Sequence, residues 1–333
     1  MSAKRIVDAT LLNWADLGIE RADGLLIGNG ASQAIWARFK YASLYEEAKS
    51  EELENPLSDA DQAMFQAFDT TNFERVLEGL SAARKVLDAL DLVIPQVRER
   101  YESVRMALVE AVRMVHVEWA SVPENVLKRF AGILRSYRHV YSTNYDLLLY
   151  WAIMSVNAAG FTDFFFDGEF DLSNTEIWDR DRTRILHLHG ALHLYRIGSR
   201  TVKRRRDYSR NLLELFGDPY GEGAIPLFVS EGSSEEKLAT ITTSDYLGFA
   251  FNSFATHEGP LVVFGHSLSD YDDHILKAMS RWEGRGLAVG LLPDTEERII
   301  LQKARLMEKL SNALLTFYDA TTHPLGGEEM MVG

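Results

Sequence analysis

The chain has no cysteine, which excludes disulfides and every thiolate metal centre. Positive charge is also in deficit: 35 Lys and Arg stand against 49 Asp and Glu, a formal net charge of −14. That balance disfavours broad nonspecific binding to nucleic acid or to an anionic membrane surface. No apolar run reaches the roughly 18 residues of a membrane helix. The opening stretch MSAKRIVDATLLNWADLG lacks the charged, apolar and small-residue order of a signal peptide. The expectation is a cytoplasmic protein without membrane association. There is no internal repeat and no low-complexity tract. What remains is an ordinary globular composition, 46% hydrophobic over 333 residues, enough for one large domain or two closely joined ones.

Hydrophobic patterning divides the chain into three stretches. Gly24-Leu-Leu-Ile-Gly28 is a short apolar run ending in glycine and leading into a helix from about Ser32, hence a strand, a turn and a helix. Residues 42–135 change character, with apolar residues at helical spacing, as in Phe73, Val76, Leu77 and Leu80, or Val104, Leu108, Val112 and Val115. Their acidic opening, Glu46, Glu47, Glu51, Glu52, Glu54, Asp59 and Asp61, reads as a solvated loop or helix face. From about 136, short apolar strands alternate with helices: strands at His139–Thr143, 184–189, 193–198, Ala224–Val229, Leu261–Phe264, Leu287–Leu292 and Ala313–Tyr318. This alternation predicts an α/β fold, a Rossmann-like parallel sheet with helices on both faces, and a helical insertion after the first strand-helix unit. The predicted division is a nucleotide-binding domain from 1–41 and 136–333, with 42–135 as a helical subdomain.

Three strand-end turns carry polar groups that suit a nucleotide. Gly28-Asn29-Gly30-Ala31-Ser32 ends the first strand, where glycine lets backbone N–H groups approach a diphosphate and Ser32 could cap the helix or donate to an oxygen. It is not a full GxGxxG, since Gln33 stands where the third glycine would be. Ser142-Thr143-Asn144-Tyr145-Asp146 occupies the equivalent place after the next strand. There Asn144 offers a donor and an acceptor, and Asp146 accepts either from a ribose hydroxyl or from the next helix as its cap. Gly265-His266-Ser267-Leu268-Ser269-Asp270 follows a later strand, with Ser267 and Asp270 as ligands or helix caps.

The most unusual segment is His187-Leu-His189-Gly190-Ala-Leu-His193, three histidines within seven residues. Positions 187 and 189 share a strand face, so a metal pair competes with other readings, with Asp146, Asp270 or His193 as third ligand. His189 stands directly before the glycine that ends the strand. Near an ordinary pKa of about 6.5, its imidazole could activate a nucleophile or orient water.

In their order, the GxGxS turn, Thr143-Asn144 with Asp146, His189-Gly190 and Gly265 with Ser267 and Asp270, these motifs resemble the sirtuin-like NAD hydrolases of bacteria. Phe73-Glu-Arg-Val-Leu77 resembles a stretch common in the insertions of that family. The resemblance implies an NAD glycohydrolase that releases nicotinamide and ADP-ribose. It places Gly28, Gly30, Ser32 and Asp146 at the cofactor and Asn144 and His189 in catalysis; Asn29 within the first turn and Gly265, Ser267 and Asp270 in the late turn are expected at the cofactor from their positions. It also implies an antiphage defence effector acting by abortive infection, with a homo-oligomer or companion protein controlling it. The four cysteines that hold zinc in deacylating sirtuins are missing, so hydrolysis is expected rather than deacylation, with NAD as substrate and no metal. Asn29 replaces the small residue usual between the glycines. Two other readings stand beside this one: a non-catalytic sensor of NAD or ADP-ribose, and a metal-dependent hydrolase built on the histidine segment. Nucleic acid would be reached only through the basic run Arg204-Arg205-Arg206, which otherwise reads as a solvated hairpin.

Overall fold

The computed structural model describes residues 7–19, 22–36, 44–176, 181–205, 212–216, 224–229 and 233–332. Strand β1 (Ala22–Ile27) runs into helix α1 (Asn29–Ile35). Helices α2 (Leu44–Glu47), α3 (Asp59–Ala67), α4 (Phe73–Ala89), α5 (Pro95–Val115) and α6 (Glu124–Leu134) precede β2 (Tyr137–Ser142). Then come α7 (Leu148–Ser155), β3 (Phe161–Thr162), β4 (Thr183–His187), β5 (Gly190–Ile197), β6 (Arg200–Lys203), α8 (Leu212–Leu215) and β7 (Ala224–Phe228). The last part holds α9 (Ser234–Thr243), α10 (Asp245–Ala255), β8 (Leu261–Phe264), α11 (Asp273–Met279), β9 (Gly286–Leu291), α12 (Glu296–Lys309) and β10 (Leu314–Asp319).

Seven strands form one sheet in the order β10-β9-β8-β1-β2-β4-β3, with every neighbouring pair parallel. The strands are continuous apolar runs because both faces are covered, and successive side chains enter opposite cores. Leu25, Ile27, Val140, Ile185, Val262 and Phe264 join a core with Ile35, Leu77, Val104, Leu127 and Trp151 of the helices from α1 to α7. Leu26, Tyr141, Leu186 and Val263 join a second core with Leu247, Phe254, Leu276 and Leu306 of α10 to α12. The Rossmann-like α/β architecture follows from this two-sided burial.

Between α1 and β2 the described residues form only helices and turns. Phe73, Val76, Leu77 and Leu80 of α4 are all buried, as the spacing predicts. In α6, Val126, Leu127, Phe130, Ala131 and Leu134 make one apolar stripe. These side chains belong to the same apolar cluster as Leu25 and Ile27 of the sheet.

Three expectations are corrected. Glu46, Glu51, Glu52, Glu54 and Asp59 are solvated as expected, but Asp61 is buried. Its carboxylate completes a capping box with Ser58 and takes hydrogen bonds from Arg100 (2.9 Å) and Ser103 (2.8 Å), which replace the lost water. The strand after the histidine segment does not enter the parallel sheet: β5 pairs antiparallel with β6 and β7 in a separate sheet ordered β6-β5-β7. Only Leu188 and His189 separate β4 from β5, far too short a link for a parallel crossover. Gly190 turns the chain there at φ +74°, and a Cβ on it would lie 2.1 Å from the Leu227 carbonyl oxygen of β7. Finally, Arg204 is not a free basic group: it is buried and donates to the Leu215 carbonyl at 2.8 Å. Arg205 is exposed, and Arg206 lies outside the described residues.

Candidate functional site

Strand β1 is central, with β2 added on one side of it and β8 on the other. The order of addition therefore reverses between β1 and β8, and in open parallel sheets the crevice beyond the carboxyl ends at such a reversal is where ligands bind. The register aligns one row across this edge: Phe264 with Ile27, Ile27 with Ser142, and Ser142 with His187. Gly28, Asn144, His189 and Gly265 each lie one or two residues beyond that row. The sheet thus brings together residues scattered over the sequence from 28 to 265.

The glycines have a task that the sequence does not reveal. Gly30 N donates to the Gly265 carbonyl at 2.7 Å, and Gly28 N donates to Phe264 O at 3.1 Å. A Cβ on Gly30 would stand 2.6 Å from Gly265 Cα, and one on Gly28 2.7 Å from His266 Cα. The missing side chains let the β1 and β8 turns pack backbone to backbone. The Gly30 N–H is spent on the neighbouring turn.

Asn144 and Asp146 fasten the same turn from the β2 side. Asn144 Nδ2 donates to Gly28 O (3.0 Å) and to Ser32 Oγ (2.9 Å), while Ser32 Oγ donates to Asp146 Oδ2 at 2.5 Å. Asp146 Oδ1 accepts from Leu148 N at 2.9 Å, an Asx turn that stands one residue ahead of Leu147, the N-cap of α7. Burial raises the Asp146 pKa, against the opposing pull of His116 and the Ser32 hydrogen bond. His116, at the end of α5, accepts from Leu147 N at its Nε2 (2.9 Å) and faces Val117 O with its Nδ1 (2.7 Å). Those two partners require the neutral imidazole with its proton on Nδ1. Two buried acceptors are left over among the described residues at this turn, Asn29 Oδ1 and Asn144 Oδ1, neither with a hydrogen-bond partner.

His189 is buried and meets α11 instead of its sequence neighbours. Its Nε2 lies 2.9 Å from His274 Nε2, and the His274 Nδ1 lies 3.0 Å from Ser234 Oγ. Asp272 stands beside them, its Oδ1 accepting from Lys237 Nζ at 2.8 Å. One ligand atom each from His189, Asp272 and His274 falls within 4.8 Å of the others. Burial pushes the His189 pKa well below the ordinary range, with Asp272 opposing. It also pushes His274 down to about 4. Burial works to raise Asp272, but His189, His266 and Lys237 hold it below the usual carboxylate range. His266 accepts from Leu268 N at its Nδ1 (2.9 Å), so its proton is on the Nε2 that faces Asp272 Oδ2 at 3.8 Å.

This geometry overturns two expectations about the histidines. A site without metal ligands is contradicted, because two imidazoles and a carboxylate converge at a set that can hold a cation. His189 is also not poised near pKa 6.5 as a strong base, because desolvation keeps it neutral. Nor does His187 pair with His189. It turns to His193, ring centroids 5.1 Å apart, where burial lowers both and holds His187 at about 4.

Ser267 and Asp270 lie outside this cluster. Ser267 is exposed and its carbonyl accepts from Arg305, while the exposed Asp270 faces Arg305 (3.7 Å) and Lys309 (3.5 Å). The residues that sequence reasoning missed are Asp272 and His274, which lie just past Asp270 in Asp270-Tyr-Asp-Asp-His274. A carboxylate and an imidazole two positions apart were the available signal. Ser234 and Lys237 come from α9, with nothing in their local sequence to mark them.

A cavity of about 890 Å³ opens at the opposite edge of the sheet, lined by Asp23, Arg138, His139 and Arg184 from the amino ends of β1, β2 and β4, together with Tyr141 and His257. Among the described residues no helix is long and apolar enough to cross a membrane. No curated protein matches the chain. Residues 25–324 match the model of a domain of unknown function, DUF4917, and the chain belongs to that family.

Proposed function

We propose that this DUF4917 protein binds NAD at the carboxyl edge of its sheet and hydrolyses the nicotinamide-ribose bond. The reading is carried by Asn144 Oδ1, a buried acceptor with no partner, beside the strand-order reversal where a nucleotide would lie. The amide's N–H groups are held by Gly28 and Ser32, so its oxygen is fixed in place to accept from a ribose hydroxyl or a water. The motif order, similar to that of sirtuin-like NAD hydrolases, supports the same reading, and with it a role as an antiphage effector that depletes NAD.

In the proposed reaction the bond between ribose C1′ and the nicotinamide nitrogen breaks, and nicotinamide leaves with the electron pair. Water adds to the oxocarbenium-like C1′ and loses its proton, giving ADP-ribose. Such a transition state demands little from a base because the carbon is already electron-poor. A neutral, buried His189 fits a role in orienting that water better than in deprotonating it strongly.

The full chain incubated with NAD is expected to release nicotinamide and ADP-ribose in equal amounts, read by chromatography. The His189→Ala variant is expected to be slower by about 100-fold, the lower range for loss of a positioned catalytic group. Equal rates from both proteins would remove His189 from the reaction.

A further inference from the structure

We infer that His189, Asp272 and His274 form a binding site for a divalent transition-metal ion. Three ligands come from two separate parts of the chain, the β4 end and the start of α11, and all are buried or half-buried. The two Nε2 atoms lie at hydrogen-bond distance, 2.9 Å apart, within a few tenths of an ångström of the separation of about 3.3 Å that a tetrahedral ion with bonds of about 2.05 Å asks of two ligands. Two imidazoles with one carboxylate favour zinc, manganese, iron or cobalt over calcium and magnesium, which prefer oxygen throughout.

The surroundings match what metal-binding histidines require. A ligating imidazole has its second nitrogen engaged by a neighbouring polar group, which fixes ring orientation and frees the other lone pair. Ser234 Oγ supplies this at 3.0 Å from His274 Nδ1, and also accepts from the His274 backbone N–H at 2.7 Å. Lys237 donates to Oδ1 of Asp272 at 2.8 Å and so fixes the carboxylate beside the two imidazoles. His266 faces that carboxylate with a protonated Nε2 and so supports the ligand without being one. Three protein ligands leave coordination positions for water, the pattern of a reactive ion as opposed to a closed structural one.

His189 belongs to both this site and the proposed NAD cleavage, so the test reads metal alone and its outcome is distinguishable from that of the cleavage assay. The full-length chain, free of any affinity tag and stripped with a chelator, is dialysed against zinc or cobalt(II) and its content measured by elemental analysis. About one ion per chain is expected, with a visible cobalt absorption. Asp272→Asn and the double variant His189→Ala with His274→Ala should each weaken binding by at least about tenfold. Circular dichroism confirms that the variants are folded, and His139→Ala, at the opposite edge, serves as a control that retains the ion. No ion bound by the wild type, or equal binding by a folded double variant, would overturn the site.

Discussion

Exchanging Gly265 for alanine is expected to destabilise the protein by about 4 kcal/mol or more, or to abolish soluble expression, whereas Gly284→Ala should cost only about 1 kcal/mol. Both glycines sit in the left-handed region, at φ +66° and +65°. The conformational penalty is therefore shared, and the difference lies in what a new Cβ meets. At Gly284 it meets nothing within 4 Å, while at Gly265 it would stand 2.4 Å from Ala31 N and 2.6 Å from Gly30 C. Those are backbone atoms that no rotamer change can move aside, so the β1 and β8 turns would have to separate. Denaturant unfolding of the two variants isolates that contact. Equal destabilisation would mean that the turns do not depend on each other's missing side chains.

Asn144→Ala is expected to reduce NAD cleavage by about 100- to 1,000-fold, the range found when one preorganised polar group is removed from an active site. The substitution also takes away two hydrogen bonds, to Gly28 O and Ser32 Oγ, each contributing about 1 kcal/mol. Ser32→Ala separates these effects. It breaks the hydrogen bonds to Asn144 and Asp146 but leaves the Asn144 acceptor in place. It should lower stability similarly while reducing the rate less than about tenfold. Parallel losses of rate in the two variants would assign Asn144 to holding the turn alone.

Much of the fold was legible because parallel strands buried on two faces leave continuous apolar runs, as in Leu261–Phe264, and helices leave spaced ones, as in Phe73–Leu80. The strand-end positions of Gly28, Asn144 and His189 were legible for the same reason. Their contacts were not. That the glycines exist for one another depends on β1 and β8 being neighbours although some 230 residues apart, a fact of strand order that local pattern does not encode. A continuing strand face would pair His189 with His187, but the chain turns at Gly190 and the imidazole meets α11. Asp61 was hidden within an acidic run, where composition alone cannot single out the one carboxylate that finds Arg100 and Ser103. Arg204 was hidden in the same way inside a basic run.

A crystal structure of the full chain with ADP-ribose, the product of the proposed reaction, tests the location of the nucleotide site most directly. The expected result is the ligand at the carboxyl edge, with a ribose hydroxyl or an ordered water on Asn144 Oδ1 and the C1′ end toward His189. Ligand bound instead in the cavity lined by Arg138, His139 and Arg184, with the carboxyl edge unchanged, would contradict it.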